Sequence, residues 1–501
     1  MSSAGFVTQL ELLIRARYAL IYLVTWEEQR VHDLLEGVAQ RHGKQLVEWS
    51  SHRGLRRVGG TRTPNDLEPI KDPIKAIEAI GKLAEPSLIM LKDFHPCFAE
   101  PAVVRAVREL GDQLKGSFST VVFLSPTLTM PVELEKDLSV IDVPLPDYTD
   151  LAMLLREIIQ VVRANHRATI DLTAQDAEAL VRAAQGLTLV EAENAFARAI
   201  AHDGRLDAED IALVLEEKKQ ILRKSGLLEY ITTDETLGSV GGLDHLKAWL
   251  DRRSGAFSDE ARLFGLPEPK GLLLLGVQGC GKSLTAKAIA SRWRLPLLRL
   301  DMGRIFAGFI GSSEENVRKA IRIAEGVAPA VLWIDEIEKG LAGADSSASD
   351  GGVTSRVFGA LLTWMQEKTA PVFIVATANR ITDLPPELLR KGRFDEIFFI
   401  DLPSVQERAD VFAIHLRRRG RKPGDYDLAE LARSSDGYSG AEIEQAVVAG
   451  LYQAFETRGA LTQAHLVTAL GETRPLSATM REDIDRLREW ARTRTRAASS
   501  T

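Results

Sequence analysis

Short apolar runs and amphipathic stretches alternate along most of the chain. Residues 19–24 (ALIYLV) form a compact apolar run, the next segment to Gly43 spaces its apolar positions as a helix does, and residues 45–49 (QLVEW) return to strand character. The same order restarts near residue 270, where 271–275 (GLLLL) reads as strand, 283–294 as helix and 297–300 (LLRL) as strand. Parallel strands cannot be joined by a tight turn, so strands separated by helical crossovers imply parallel sheets. The expected fold class is α/β.

The two halves also resemble each other. Residues 86–94 (PSLIMLKDF) align with 329–337 (PAVLWIDEI) at an offset of 243, 143–147 (VPLPD) with 400–404 (IDLPS) at 257, and 186–200 with 437–451 at 251. Three matches in one order, with little drift, point to a duplicated architecture. The expected division is an α/β domain over 1–145, a helical domain and linker over 146–225, a second α/β domain over 226–405, a helical lid over 406–475, and a C-terminal helix and tail over 476–501. Residues 216–230 (EEKKQILRKSGLLEY) read as a charged amphipathic helix ending near Gly226 that joins the halves. The final dozen residues, TRTRAASST among them, are expected to fray.

Composition narrows the function classes. Of 501 residues, 45% are hydrophobic and 27% charged, which suits a globular chain and excludes collagen-like or largely disordered classes. No apolar run approaches the roughly 18 residues of a membrane span. Glu11 interrupts the apolar patch near the amino terminus and no basic segment precedes it, so no secretory signal is expected. Sixty-three Lys and Arg against 70 Asp and Glu give a net charge of −7, the wrong sign for a surface that grips nucleic acid throughout. Two cysteines, Cys97 and Cys280, cannot build a disulfide framework, so a reducing, cytoplasmic setting is expected. The nine histidines form no ligand-like pair, and no structural metal site is expected.

The sharpest chemical signal is Gly276-Val277-Gln278-Gly279-Cys280-Gly281-Lys282-Ser283, which fits G-x-x-x-x-G-K-[ST] between a strand and a helix. Glycines let the backbone curl so that N–H groups and the positive helix end surround phosphate oxygens. Lys282 balances phosphate charge, and the Ser283 hydroxyl suits Mg²⁺. The strand 331–334 (VLWI) then ends in two carboxylates: Asp335, suited to the Mg²⁺ shell, and Glu336, suited to polarise the attacking water. Cys280, beside Lys282 and a helix amino terminus, is expected to have an acidic thiol and is a candidate redox-sensitive position, the alternative being a neutral small residue.

With these motifs in place, the chain resembles the AAA family of ATPases. Residues 269–290 are similar to the family's Walker A region, VLWIDEIE to its Walker B, and residues 372–403 to its second region of homology. The resemblance implies a P-loop AAA+ module, a parallel sheet with helices on both faces plus a helical lid, that uses ATP and Mg²⁺. It also implies roles residue by residue. Asn379 orients the lytic water, Arg390 and Arg393 reach a neighbouring subunit's ATP, and Val240 and Gly241 read adenine. Gly440 and Ala441 let the lid sense nucleotide, and Phe309 and Ile310, followed by Gly311, form a pore loop ahead of a helix capped by Ser312 and Glu315.

The first half keeps the frame and loses the catalyst. TWEEQRV (25–31) stands where a P-loop would be, Lys92-Asp93 opposite Asp335-Glu336, and Leu134-Glu135-Lys136 opposite Leu388-Leu389-Arg390. An acidic, glycine-free segment cannot cradle phosphate. A degenerate AAA-like unit ahead of an active one, with the tail from residue 475, resembles the chloroplast-type AAA proteins of plastid reading frames, cyanobacteria and other bacteria. The resemblance implies an oligomeric ring, with a hexamer as the expected size, that remodels a protein partner. Two alternatives stand beside it: a nucleic-acid-acting ATPase using the basic runs 53–57 or 417–422, and a nucleotide-gated scaffold whose first half is the binding module.

Overall fold

The computed structural model describes residues 3–58, 70–165, 168–233, 235–257, 259–306, 312–340, 351–381, 384–390 and 392–500. Two compact units meet at Lys218/Lys219. The division falls inside the helix Asp210–Ser225 rather than at its end, because Leu222 packs into the apolar core of the second unit.

In the first unit, β1 (Leu20–Val24), β2 (Gln45–Trp49), β3 (Arg56–Arg57), β4 (Ser87–Lys92), β5 (Thr120–Ser125) and β6 (Leu138–Asp142) form one sheet in the order β3-β2-β4-β5-β1-β6. Only β3 runs antiparallel to its neighbour. Helices follow from Tyr148 onward, and the short strands β7 (Thr169–Ile170) and β8 (Arg205–Leu206) pair among them.

The second unit holds β9 (Leu228–Ile231), β10 (Gly271–Gly276), β11 (Leu297–Leu300), β12 (Ala330–Ile334), β13 (Val372–Ala378), β14 (Glu396–Ile400) and β15 (Arg496–Ala497) in the order β15-β14-β10-β13-β12-β11-β9. With β1 set against β10, β2 against β11, β4 against β12, β5 against β13 and β6 against β14, the five central strands share one order in both units. The duplicated α/β architecture is therefore present in the strand topology. Residue pattern explains why these strands are central. Leu272 and Leu274 pack on one face with Val331, Trp333, Phe373 and Val375, while Leu273 and Leu275 pack on the other with Leu332, Ile334, Ile374 and Ala376. Continuous apolar runs, rather than alternating ones, are what a sheet covered by helices on both faces demands.

β10 ends where the backbones of neighbouring strands nearly touch. A Cβ on Gly276 would sit 1.9 Å from the Ile400 carbonyl oxygen, a backbone atom that cannot swing aside. Gly276→Ala is expected to cost about 1–3 kcal/mol through overpacking, read as a lower midpoint in thermal unfolding.

The lid comprises helices Val405–Arg418, Leu428–Ser434, Gly440–Glu456 and Gln463–Glu472, which pack around Phe412, Leu416, Leu431, Ile443, Val447 and Leu466. Ser404, Asp427, Ser439 and Thr462 cap their amino termini by accepting backbone N–H groups. The tail does not fray as its polar composition suggested. β15 pairs in parallel with β14, the Ala498 N–H donates to the Phe399 carbonyl at 3.0 Å, and Ala498 is 1% exposed among Val240, Leu243 and Leu246. One apolar side chain and a sheet edge with unpaired groups suffice to order it. Among the described residues, no helix is long and apolar enough to cross a membrane.

Candidate active site

A cleft of about 460 Å³ in the second unit is lined by Val240 and Gly241, by Gln278, Gly279, Cys280, Gly281, Lys282 and Ser283, by Asp335, Glu336 and Asn379, and by Gly440 and Ala441. Gly276 and Val277 lie at its base, where their carbonyls accept hydrogen bonds from Lys282 Nζ at 2.8 and 2.7 Å. The glycines do conformational work in this loop. Gly279 and Gly281 hold φ of +81° and +85°, and a Cβ on Gly279 would lie 2.9 Å from Ser439 Oγ of the lid. The lid meets the loop directly, since the Ala441 N–H donates to the Gly279 carbonyl at 3.0 Å.

Lys282 is buried, and desolvation pulls its ammonium down to about 8 despite the nearby acidic groups. Its two acceptors are neutral carbonyls, and an anionic oxygen would be the stronger partner for an ammonium group. Ser283 Oγ donates to Asp335 Oδ1 at 3.1 Å, and Thr377 Oγ1 donates to the same oxygen at 2.7 Å. A hydroxyl and a carboxylate converging at this distance are the hard oxygen donors that Mg²⁺ takes. Glu336 sits one residue further at φ +47°, its N–H donating to Thr377 Oγ1 at 2.9 Å. Asn379 Nδ2 donates to Glu336 Oε1 at 3.0 Å, and Lys339 pairs with the other carboxylate oxygen. Asn379 is itself held, because its N–H donates to Glu338 Oε1 at 2.8 Å.

Thr377 and Glu338, which bond these residues, and Glu407, which lines the cleft, escaped sequence reasoning. Thr377 had a usable signal: it lies at the carboxyl end of β13 (Val372–Ala378), two residues before Asn379, where strand ends of a parallel sheet gather ligand-binding groups. Glu338 is buried, which pushes its carboxyl up, and nothing in its local sequence announces that burial.

Arg390 and Arg393 do not line the cleft. Arg390 is exposed in a separate groove with Arg252, Arg253 and Lys270, and half-buried Arg393 donates to the Glu387 carbonyl. That segment is anchored firmly: Lys270 Nζ donates to the Gly392 carbonyl at 2.8 Å, and the Lys270 and Gly271 N–H groups donate to Asp395 Oδ2 at 2.7 and 3.0 Å. Phe309 and Ile310 lie outside the described residues. The helix after them runs Ser312–Val327.

Cys280 corrects an expectation. Burial pushes its thiol up to about 12, outweighing the lowering by Lys282. The desolvation that lowers Lys282 thus also raises Cys280 and disfavours its thiolate. Iodoacetamide at pH 7.5 should label Cys280 in the folded chain at least about a hundredfold more slowly than an unhindered cysteine, as followed by mass spectrometry. Labelling at the unhindered rate would contradict this assignment.

The equivalent place in the first unit is filled by its own side chains. Glu27, 6% exposed, accepts the Leu189 N–H at 2.7 Å and pairs with Arg30 Nη1 at 2.7 Å. A carboxylate there joins the strand-following loop to a helix amino terminus, as the Gly279 carbonyl does in the second unit. Lys92, where β12 is followed by Asp335, pairs with Glu28 at 2.9 Å and buried Glu48 at 3.0 Å. Asp93 nonetheless keeps φ +48°, matching Glu336. The left-handed residue after this strand is retained, the left-handed glycines of the phosphate loop have no counterpart in 25–31, and a cation stands where Asp335 does.

Residues 6–143 match the SpoVK-like AAA ATPase N-terminal domain, 149–225 the SpoVK-like second domain, and 272–402 the ATPase family associated with various cellular activities (AAA). The AAA domain-containing protein ycf46 of Guillardia theta is 40% identical over 492 residues, covering 97% of this chain and 95% of that protein. Its counterpart in Pyropia yezoensis is also 40% identical, over 97% and 98%. A cell division cycle protein 48 homolog of Archaeoglobus fulgidus is 35% identical over 210 residues, 41% of this chain and 28% of its own length.

Proposed function

The chain belongs to the family of ycf46 AAA domain-containing proteins, and from that premise we propose that its second unit hydrolyses ATP with Mg²⁺ and drives the remodelling of a protein partner in the cytoplasm. The observation that carries the reading is the convergence of Lys282, the Ser283–Asp335 pair and the Glu336–Asn379 pair in one cleft. Lys282 leaves its two loop carbonyls and turns to the β and γ phosphates, while the loop N–H groups bind the remaining oxygens. Ser283 and Asp335 would hold Mg²⁺, which would supply charge neutralisation at those phosphates. Glu336 accepts a proton from the attacking water, and Asn379 fixes the carboxylate's direction. Thr377 holds Asp335 and the Glu336 backbone in register at once.

The exposed Arg390, outside its own chain's cleft, supports a site completed by a neighbouring copy and hence a ring. Its planar cation meets developing phosphate charge across that interface. The first unit, with Glu27 and Lys92 in place of phosphate and metal ligands, acts without nucleotide.

The direct test is phosphate release by the purified chain with Mg²⁺ and ATP, alongside calorimetric titration with ATP. One binding event per chain and hydrolysis dependent on Mg²⁺ are expected. Two binding events per chain, or none, would sink the assignment.

A further inference from the structure

Residues 496–500 reach the cleft from a side that the nucleotide motifs do not occupy. β15 runs along β14 and delivers Ser499 to the cleft wall. The Ser499 hydroxyl donates to Glu407 Oε1, and its oxygen accepts the Leu243 N–H at 3.3 Å. That N–H also reaches Glu407 Oε1 at 3.3 Å. Three separate pieces of chain therefore share one small network: the segment 240–243, the first turn of the lid helix Val405–Arg418, and the tail.

The surroundings hold this network in place. The Leu246 N–H donates to the Ala498 carbonyl at 3.1 Å, and Ala498 itself is buried. Gly242, at φ +63°, brings the backbone so close that a Cβ would lie 1.9 Å from Glu407 Oε1. Burial pushes the Glu407 carboxyl up, but hydrogen bonds from Ser499, Ser404 and Leu243 outweigh it and hold the group below the usual carboxylate range. Glu407 is an ionised acceptor, and hydrogen bonds to an ionised group are the stronger kind. The segment 240–243 and the lid helix Val405–Arg418 both line the cleft, so a movement that parts them strains the Ser499 contacts.

We propose that Ser499 is a positioning residue of the nucleotide site, which through Glu407 holds the segment 240–243 against the lid and so slows nucleotide release. The inference rests on the ATP-cleft reading above. The tail is then a strap on the lid, and disturbing it accelerates exchange without touching a phosphate-binding group.

Stopped-flow release of a fluorescent ADP analogue from full-length Ser499→Ala, Ser499→Thr and parent chains tests this, with hydrogen exchange at the Leu243 amide as a second readout. Ser499→Ala should release the analogue about tenfold faster, the factor expected for one lost charge-assisted hydrogen bond, and should expose the Leu243 amide. Ser499→Thr, which keeps the hydroxyl, should restore both. Faster amide exchange with unchanged release would make Ser499 merely structural and overturn the inference, while the ATP reading stands. A parent chain that binds no analogue would overturn the ATP reading and this inference with it.

Discussion

Glu336→Gln is expected to bind ATP as the parent does and to hydrolyse it about 10² to 10⁴ times more slowly, the range that loss of a positioned general base produces. The substitution is chosen for its geometry. An amide oxygen can still accept the hydrogen bond from Asn379 Nδ2, and the Glu336 N–H still meets Thr377 Oγ1, so the +47° backbone has no reason to relax. What is lost is the capacity to take a proton. In kinetic terms kcat should fall while the equilibrium affinity for ATP stays put, the signature of an interaction made only in the transition state. Hydrolysis at the parental rate would shift the base to another group, and buried Glu338, which positions the Asn379 backbone, would be the first to test.

Arg390→Ala should lower ATP turnover on the order of 10³-fold or more, the scale of an arginine supplied in trans. The loss should come with an unusual recovery. Mixed in equal amounts, Arg390→Ala and Glu336→Gln chains should regain part of the activity that neither has alone, because some interfaces then pair an intact cleft with an intact arginine. Specific activity of the parent should also rise with protein concentration, since a shared site exists only in the assembly. A mixture as inactive as its components would place Arg390's role within its own chain and remove the argument for a ring. Arg393 should behave differently, because its guanidinium already serves the Glu387 carbonyl, so its substitution acts by loosening the loop that presents Arg390.

Motif residues were legible because their chemistry is local. The phosphate loop needs glycines at φ near +80°, a lysine and a hydroxyl within eight consecutive positions, and any chain that keeps them in order between strand and helix forms the same cradle. The central strands were legible too, because residues 271–275 and 331–334 are apolar on both faces and must lie inside a covered sheet, whereas their order was not. Glu338, Glu407 and Ser499 were not legible. Each is an ordinary polar residue in sequence, and each acquires its role from partners 41, 164 or 256 positions away.

Cys280 marks the boundary between the two kinds of information. Its sequence neighbours, a lysine and a helix amino terminus, both favour a thiolate, yet burial dominates and drives the thiol up to about 12. The tail makes the same point in reverse, since its composition argues for fraying while an open sheet edge and a pocket for Ala498 order it. Sequence by itself determined the α/β class, the duplicated frame, the family resemblance and the residues suited to contact phosphate and metal, because each rests on spacing along the chain. Tertiary structure alone decided which groups are desolvated, which carbonyls Lys282 engages and which distant residues line the cleft, because solvation and long-range hydrogen bonds depend on what the folded chain brings alongside.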